Sequence, residues 1–152
     1  MIYTELTKKA IEVAFRAHEG QVDKAGWPYV LHPVHLAEQM NTEDECVVAL
    51  LHDVVEDSDI TFEELEKEGF TEVQLEALML LTREKDEPGL TKEEKDRRYF
   101  EYVEKIGKNP IAKAVKMADL THNMDKTRLS EVTEKDEKRY AKYKKALEML
   151  QN

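Results

Sequence analysis

The sequence predicts an all-α bundle of about eight helices. Three observations predict it. Thr-x-x-Glu or Thr-x-x-Gln pairs recur at Thr42/Glu45, Thr61/Glu64, Thr71/Gln74 and Thr91/Glu94. Each reads as a capping box, in which the Thr hydroxyl accepts from a first-turn N–H while the acid or amide reaches back to the cap. Apolar residues return at intervals of three and four, as in Leu6, Ala10, Val13, Ala14 and Ala17, so they share one helical face. No stretch shows the strict alternation of a half-buried strand.

Taken in order, the first helix runs over residues 4–18 and stops before Gly20. A turn segment, 21–31, carries Gly26 and Pro28. Pro33 suits the first position of a short second helix reaching Met40, because that position needs no N–H. The third helix, 43–55, is apolar nearly all round and is expected to be the central, buried one. Further helices are expected over 62–68, 72–81, 92–106, 110–123 and 135–150. Residues 82–90, with Glu87-Pro88-Gly89, form the only long polar connection and are a candidate flap over a site. The charged run 134–145 reads as a solvated helix face with i,i+4 ion pairs, and Tyr99, Tyr102, Tyr140 and Tyr143 as a surface seam. With no internal repeat and no linker, one domain over 1–152 is expected.

Composition narrows the function classes. At 152 residues the chain can bury about two-thirds of its unfolded surface. A charged fraction of 37% beside 41% hydrophobic residues is polar but globular. Thirty-three acidic against 23 basic side chains give a net charge of −10, which argues against nucleic acid or an anionic membrane as partner. A phosphorylated small molecule stays compatible, because a bound divalent cation reverses the local field. The single Cys46 cannot form an intrachain disulfide, and no apolar run approaches a membrane span or a secretory leader. The simplest address is cytoplasmic.

The chemistry-bearing residues concentrate at Leu50-Leu51-His52-Asp53-Val54-Val55-Glu56-Asp57. On a continuous helix His52 and Glu56 would stack one turn apart, as would Asp53 and Asp57, aiming all four at one small volume. Charges following Cys46-Val47-Val48-Ala49-Leu50-Leu51 are costly to desolvate unless a cation or a proton compensates them. Two distant elements have the same character. His32 precedes Pro33 where the chain turns sharply, and Asp119 ends the apolar run 111–118, with His122 and Asn123 about one turn further. Two imidazoles and two carboxylates suit Mn2+, Fe2+ or Zn2+ with positions left open, and the set lacks the thiolates of a closed structural zinc site. Taken singly, each has a bland reading: His32 a turn residue, Asp119 a solvated charge, His122 a satisfied histidine.

The combination resembles a known family. The order His … His-Asp … Asp is similar to that of HD-superfamily metal-dependent phosphohydrolases. More narrowly, Gly20-Gln21, Lys24-Ala25-Gly26-Trp27-Pro28-Tyr29-Val30-Leu31-His32-Pro33, Ala49 to Asp57, Val115-Lys116-Met117-Ala118-Asp119 and His122-Asn123-Met124 resemble the hydrolase domain of the Rel/SpoT alarmone enzymes and the small stand-alone alarmone hydrolases. The resemblance implies a compact HD-domain helical bundle and metal ligation by His32, His52, Asp53 and Asp119, with Mn2+ as the usual ion. It implies that Glu56 and Asp57 orient and deprotonate the attacking water, that Asn123 contacts the nucleoside, and that Lys24 lies beside the base and phosphates. The implied reaction releases pyrophosphate from the 3′ position of guanosine tetra- or pentaphosphate, so the implied partner is a small-molecule nucleotide.

Three positions depart from the family pattern. Asp23 stands where an arginine usually stacks on the base, and Leu120 and Asp125 replace arginines after Asp119. Lys24, Arg83, Lys116, Lys126 and Arg128 are the cations available to compensate. Another phosphorylated nucleotide as substrate, or a non-catalytic nucleotide-sensing module, are the alternatives, and retention of Glu56 and Asp57 speaks against the module. The family's synthetase domain is expected to be absent. Trp27 and Tyr29 either wall the pocket or anchor the turn, His18 and His35 read as structural, and Met117, Met124 and Met149 as core filling.

Overall fold

The computed structural model describes residues 1–152 and contains nine α-helices and no sheet. They are α1 (Glu5–Ala17), α2 (Leu31–Glu38), α3 (Glu43–Leu51), α4 (Val54–Asp57), α5 (Phe62–Lys67), α6 (Glu72–Leu81), α7 (Lys92–Ile106), α8 (Pro110–Asn123) and α9 (Glu134–Gln151). A short 3-10 helix, Lys126–Arg128, joins α8 to α9, and Val22 and Pro28 form one isolated antiparallel bridge. No helix is long and apolar enough to cross a membrane.

α3 is the axis of the bundle. Its apolar run has no polar face, so it is stable only when surrounded, and α1, α2, α6 and α8 pack around it. Cys46 to Leu50 are 0% exposed and Leu51 1%. Outside this shell, α9 closes over α7 and α8.

Helix starts follow side-chain capping. Thr71/Gln74 and Thr91/Glu94 are reciprocal boxes, while Thr42 and Thr61 accept from the N–H groups of Glu45 and Glu64 without the reciprocal bond to their own N–H. Two further boxes, Thr4/Thr7 and Thr133/Asp136, use a Thr and an Asp at the third helical position, outside the Glu/Gln pattern. α8 starts on Asn109, whose Oδ1 accepts from Ile111 N and Ala112 N, with Pro110 at the first position.

Two boundaries differ from the expectation, and both shape the site. The single helix expected over 43–55 is broken at His52 and Asp53, where Asp53 sits at φ −109°, ψ 2° and α4 begins afresh. The bridge-region backbone turns the Asp53 carboxylate back toward His52. α2 begins at Leu31, so His32 is its second residue and Pro33 its third. The chain already turns at Pro28, whose carbonyl accepts from Leu31 N at 3.1 Å, and a proline in the first turn forfeits only an N–H that has no intrahelical partner.

Because α3 has no solvent face, Leu50→Ala leaves a cavity that several helices cannot all close. It should lower unfolding free energy by about 2–5 kcal/mol in urea titrations followed by circular dichroism. A loss below about 1 kcal/mol would show that α3 is not the packed centre.

Candidate metal centre and adjoining cavity

Three helices and one turn deliver the polar cluster. α2 carries His32, the α3–α4 break carries His52 and Asp53, α8 carries Asp119, and the turn before α2 carries Tyr29. His32, His52 and Asp53 offer ligand atoms that all lie within 4.8 Å of one another. Asp119 Oδ1 is 2.8 Å from His32 Nε2 and 3.6 Å from His52 Nε2, while His52 Nε2 is 2.9 Å from Asp53 Oδ2. These polar groups are sunk in the bundle, with His32, His52 and Asp119 buried and Asp53 partly so.

The chemistry of this set fits a divalent cation. His52 Nδ1 donates to Ala49 O at 2.7 Å, which makes Nε2 the lone-pair nitrogen of the neutral ring. That Nε2 is buried and has no hydrogen-bond partner of acceptable geometry, although two carboxylates face it. Burial alone would lower the His52 pKa, but Asp53 and Asp119 outweigh it and hold the ring well above its ordinary value. A positive charge is wanted at that point, and two nitrogen and two oxygen donors match an open transition-metal site.

The surroundings orient each member. Burial would raise Asp53, yet His52 and the Tyr29 hydroxyl, which donates to Oδ2, bring it down to about 2. The same contact and burial push the Tyr29 phenol above its usual value, so it stays a donor. Asp119 Oδ2 accepts from Lys116 Nζ at 3.0 Å, and Oδ1 accepts from Asn123 Nδ2 at 3.0 Å. Burial opposes the charge of Asp119, but Lys116 and the two imidazoles keep it ionised, well below the carboxylate range. Arg128 Nη1 donates to Asn123 Oδ1 at 3.3 Å and to His122 O at 3.0 Å, which fixes the amide with its nitrogen toward Asp119. His122 Nδ1 is 2.7 Å from His32 Nδ1, and burial, Arg128, His32 and His35 lower its pKa to about 4.

Glu56 and Asp57 lie beside this cluster and differ in environment. Glu56 lines a narrow cleft of about 60 Å³ with His52, Asp53, Arg83, Lys116 and Asp119, and its Oε1 accepts from Arg83 N at 2.8 Å. Asp57 does not line that cleft. Partial burial, then Asp53 and Glu56, raise its carboxyl to about 6. The candidate flap is anchored rather than free at its start. Arg83 sits over the rings of Tyr99 and Tyr102, Tyr102 Oη donates to Leu81 O at 2.6 Å, and Asp86 is 3.5 Å from Arg98.

A cavity of about 340 Å³ opens on the other side, and Tyr29 and Asn123 join it to the cluster. Lys24 lines it from a turn closed by Asp23 N to Trp27 O at 2.8 Å, with Gly26 at φ 87°. α9 supplies Asp136, Arg139, Tyr140 and Tyr143 to its wall. The charged run 134–145 is therefore not simply a solvated face, and its tyrosines do not lie in a surface seam. Tyr140 on α9 and Tyr99 on α7 are both buried, and only the tertiary packing of α9 against α7 and α8 turns these rings inward.

The cations of the cavity are already paired. Lys24 Nζ lies 3.2 Å and Arg139 Nη1 3.6 Å from Asp136 Oδ1, and Arg128 Nη2 lies 3.7 Å from Asp23 Oδ2. Asp23 also closes its own turn by accepting from Ala25 N and Trp27 N at 2.9 and 3.0 Å. Among the other basic candidates, Lys116 is taken by Asp119 and Lys126 by Glu137.

No family model matches the sequence. The chain is 33% identical over 129 residues to the guanosine-3′,5′-bis(diphosphate) 3′-pyrophosphohydrolase of Danio rerio, an alignment covering 80% of this chain and 68% of that protein. It is 33% identical over 127 residues to a GTP pyrophosphokinase of Myxococcus xanthus and 33% over 124 residues to a guanosine-3′,5′-bis(diphosphate) 3′-pyrophosphohydrolase of Haemophilus influenzae, covering 79% and 74% of this chain. It spans only 17% of the length of either bacterial protein. Among solved structures, a metazoan orthologue of SpoT described as hydrolysing ppGpp superposes with a TM-score of 0.80 at 25% identity, covering 100% of this chain and 89% of that one.

Asp136 ties the cavity wall to a helix start, because its Oδ2 accepts from Thr133 N and Oγ1 at 3.0 and 2.9 Å. Those bonds hold its carboxyl below the ordinary carboxylate range. A depressed folded pKa means the charge contributes stability above the unfolded value and loses it as pH falls through the folded one. Asp136→Asn should thus melt below the wild-type protein near about pH 7, and the gap should narrow steadily as pH falls below about 4. An equal gap at both pH values would mean that the charge plays no part.

Proposed function

Because the chain belongs to the HD-type Rel/SpoT family of guanosine-3′,5′-bis(diphosphate) 3′-pyrophosphohydrolases, we propose that it hydrolyses guanosine tetra- or pentaphosphate at the 3′ position, releasing pyrophosphate and leaving GDP or GTP. One observation supports this above the others. A largely buried cluster of two histidines and two carboxylates, with an unpartnered Nε2 at its centre, adjoins a cavity of about 340 Å³ through Tyr29 and Asn123.

In this reading His32, His52, Asp53 and Asp119 hold one divalent cation, and Mn2+ is the ion proposed. When bound, the cation supplies Lewis-acid chemistry, acidifying water and offsetting charge on the phosphoryl oxygens. The chain's own groups do the rest. Tyr29 and Lys116 orient Asp53 and Asp119 by hydrogen bonds from outside the cluster. Glu56, held by the Arg83 amide, and Asp57 orient the attacking water and take its proton. The water oxygen joins the phosphorus next to the ribose, the bond from that phosphorus to the 3′ oxygen breaks, and the departing 3′ oxygen takes up a proton from solvent, to which the carboxylates return theirs. Lys24 and Asn123 bind the nucleotide in the cavity.

A second reading keeps the reaction and changes the nucleotide. Its support is the charge pairing of the cavity, where Lys24 and Arg139 share Asp136 and Arg128 faces Asp23. A guanosine polyphosphate must compete with these carboxylates, and each contact not regained costs about 1.5–3 kcal/mol. A less charged phosphorylated nucleotide loses less.

Wild-type protein should carry one equivalent of Mn2+ by elemental analysis and release pyrophosphate from guanosine tetraphosphate. Asp53→Ala and Asp119→Ala should lose the metal, and its removal should lower the wild-type melting temperature. If both variants retained the full metal content, the ligand assignment would be wrong. A manganese-loaded enzyme inert toward guanosine tetraphosphate but active on another nucleotide would select the second reading.

Glu56→Gln combined with Asp57→Asn separates chemistry from metal binding. Turnover should fall by about two to four orders of magnitude while metal content stays near wild type. Metal lost in parallel with activity would make these residues ligands.

A further inference from the structure

His122 carries a role that its sequence position does not announce. Its Nδ1 lies 2.7 Å from His32 Nδ1, and the two ring planes are within 6° of parallel. That separation is too short for stacked rings in van der Waals contact and matches an N–H···N hydrogen bond. His122 is held at its ring and at its backbone. His35 stacks on it with centroids 4.1 Å apart, and Arg128 Nη1 donates to its carbonyl at 3.0 Å.

From this contact we infer that His122 is a positioning residue for the metal centre, accepting at Nδ1 the Nδ1–H of His32 and so fixing the ring with its Nε2 lone pair toward Asp53, His52 and Asp119. The inference rests on the proposed ligand set. An imidazole that gives Nε2 to a cation keeps its remaining proton on Nδ1. For His52 that proton goes to Ala49 O at 2.7 Å, an ordinary backbone acceptor. For His32 the atom in reach is His122 Nδ1, which must then be unprotonated, with the His122 proton on Nε2. Such outer partners set the tautomer and raise the basicity of the ligand nitrogen, and removing one typically weakens metal binding by about 10–100-fold. The two histidine ligands are thus supported differently, one by a carbonyl of its own helix and one by a side chain from α8, the helix that also carries Asp119.

Two substitutions separate the hydrogen bond from the packing. His122→Phe keeps a flat ring against His35 but has no acceptor, whereas His122→Asn places an amide oxygen at the Nδ1 position without the ring. Mn2+ affinity, measured by electron paramagnetic resonance titration of the metal-stripped protein, should fall about 10–100-fold in His122→Phe and stay within about threefold of wild type in His122→Asn. Wild-type affinity in His122→Phe, or equal loss in both folded variants, overturns the inference and leaves the ligand set standing. Wild-type protein that binds no Mn2+ overturns both. Nitrogen-15 histidine spectra of Zn2+-loaded wild-type protein probe the same hydrogen bond without a variant. The expected pattern is a proton on His32 Nδ1 and none on His122 Nδ1, and the reverse pattern rejects the role.

Discussion

An ionised carboxylate at the buried end of α8 is the constraint from which the surrounding architecture follows. Asp119 is 6% exposed, and a lone charge there would be destabilising by several kcal/mol. Lys116 from the same helix, His32 from α2 and Asn123 one turn further on all reach it within 3.0 Å. Two of these partners are themselves tied down, His32 by His122 and Asn123 by Arg128. The burial of this end of α8 makes such pairing necessary, because a carboxylate 6% exposed has little water to turn to.

The same logic explains why the helix over 43–55 breaks where it does. An unbroken helix would continue the apolar face of Cys46 to Leu51 straight into a charged turn. The bridge-region backbone at Asp53 instead turns its carboxylate onto His52 and Tyr29, and lets Glu56 and Asp57 emerge at the edge of the cluster. Local irregularity and the polar cluster coincide here, since pre-set side-chain directions are stored in the backbone rather than in flexible rotamers.

The three positions that depart from the family pattern each have a structural role here, and Asp125 caps the 3-10 helix by accepting from Thr127 N at 3.0 Å. Asp23 closes its own turn and anchors Arg128, which reaches it from the 3-10 helix. Asp136 caps α9 and draws Lys24 and Arg139 together. Leu120 is simply core, 0% exposed. Lys24, Arg128 and Arg139 face Asp23, Asp125 and Asp136 in this cavity, so it is electrostatically near balance although the chain as a whole carries −10.

Local chemistry is what the sequence determined. Thr caps, helical periodicity and the absence of alternation suffice for an all-helical chain because they depend on neighbours three or four residues away. The residue types of the cluster were equally legible, since charges next to Cys46 to Leu51 and a histidine beside Pro33 are conspicuous without any fold. The Thr4/Thr7 and Thr133/Asp136 boxes fall outside the Glu/Gln pattern because shorter side chains close them. Tertiary structure alone decided the contacts that link distant segments. His122 meeting His32 across 90 residues, Lys24 meeting Asp136 across 112, and the tyrosines of α9 turning inward all depend on how α8 and α9 pack. No periodicity encodes such pairings, because a helix stripe of mixed Tyr, Lys and Asp is compatible with water until a second surface arrives to cover it.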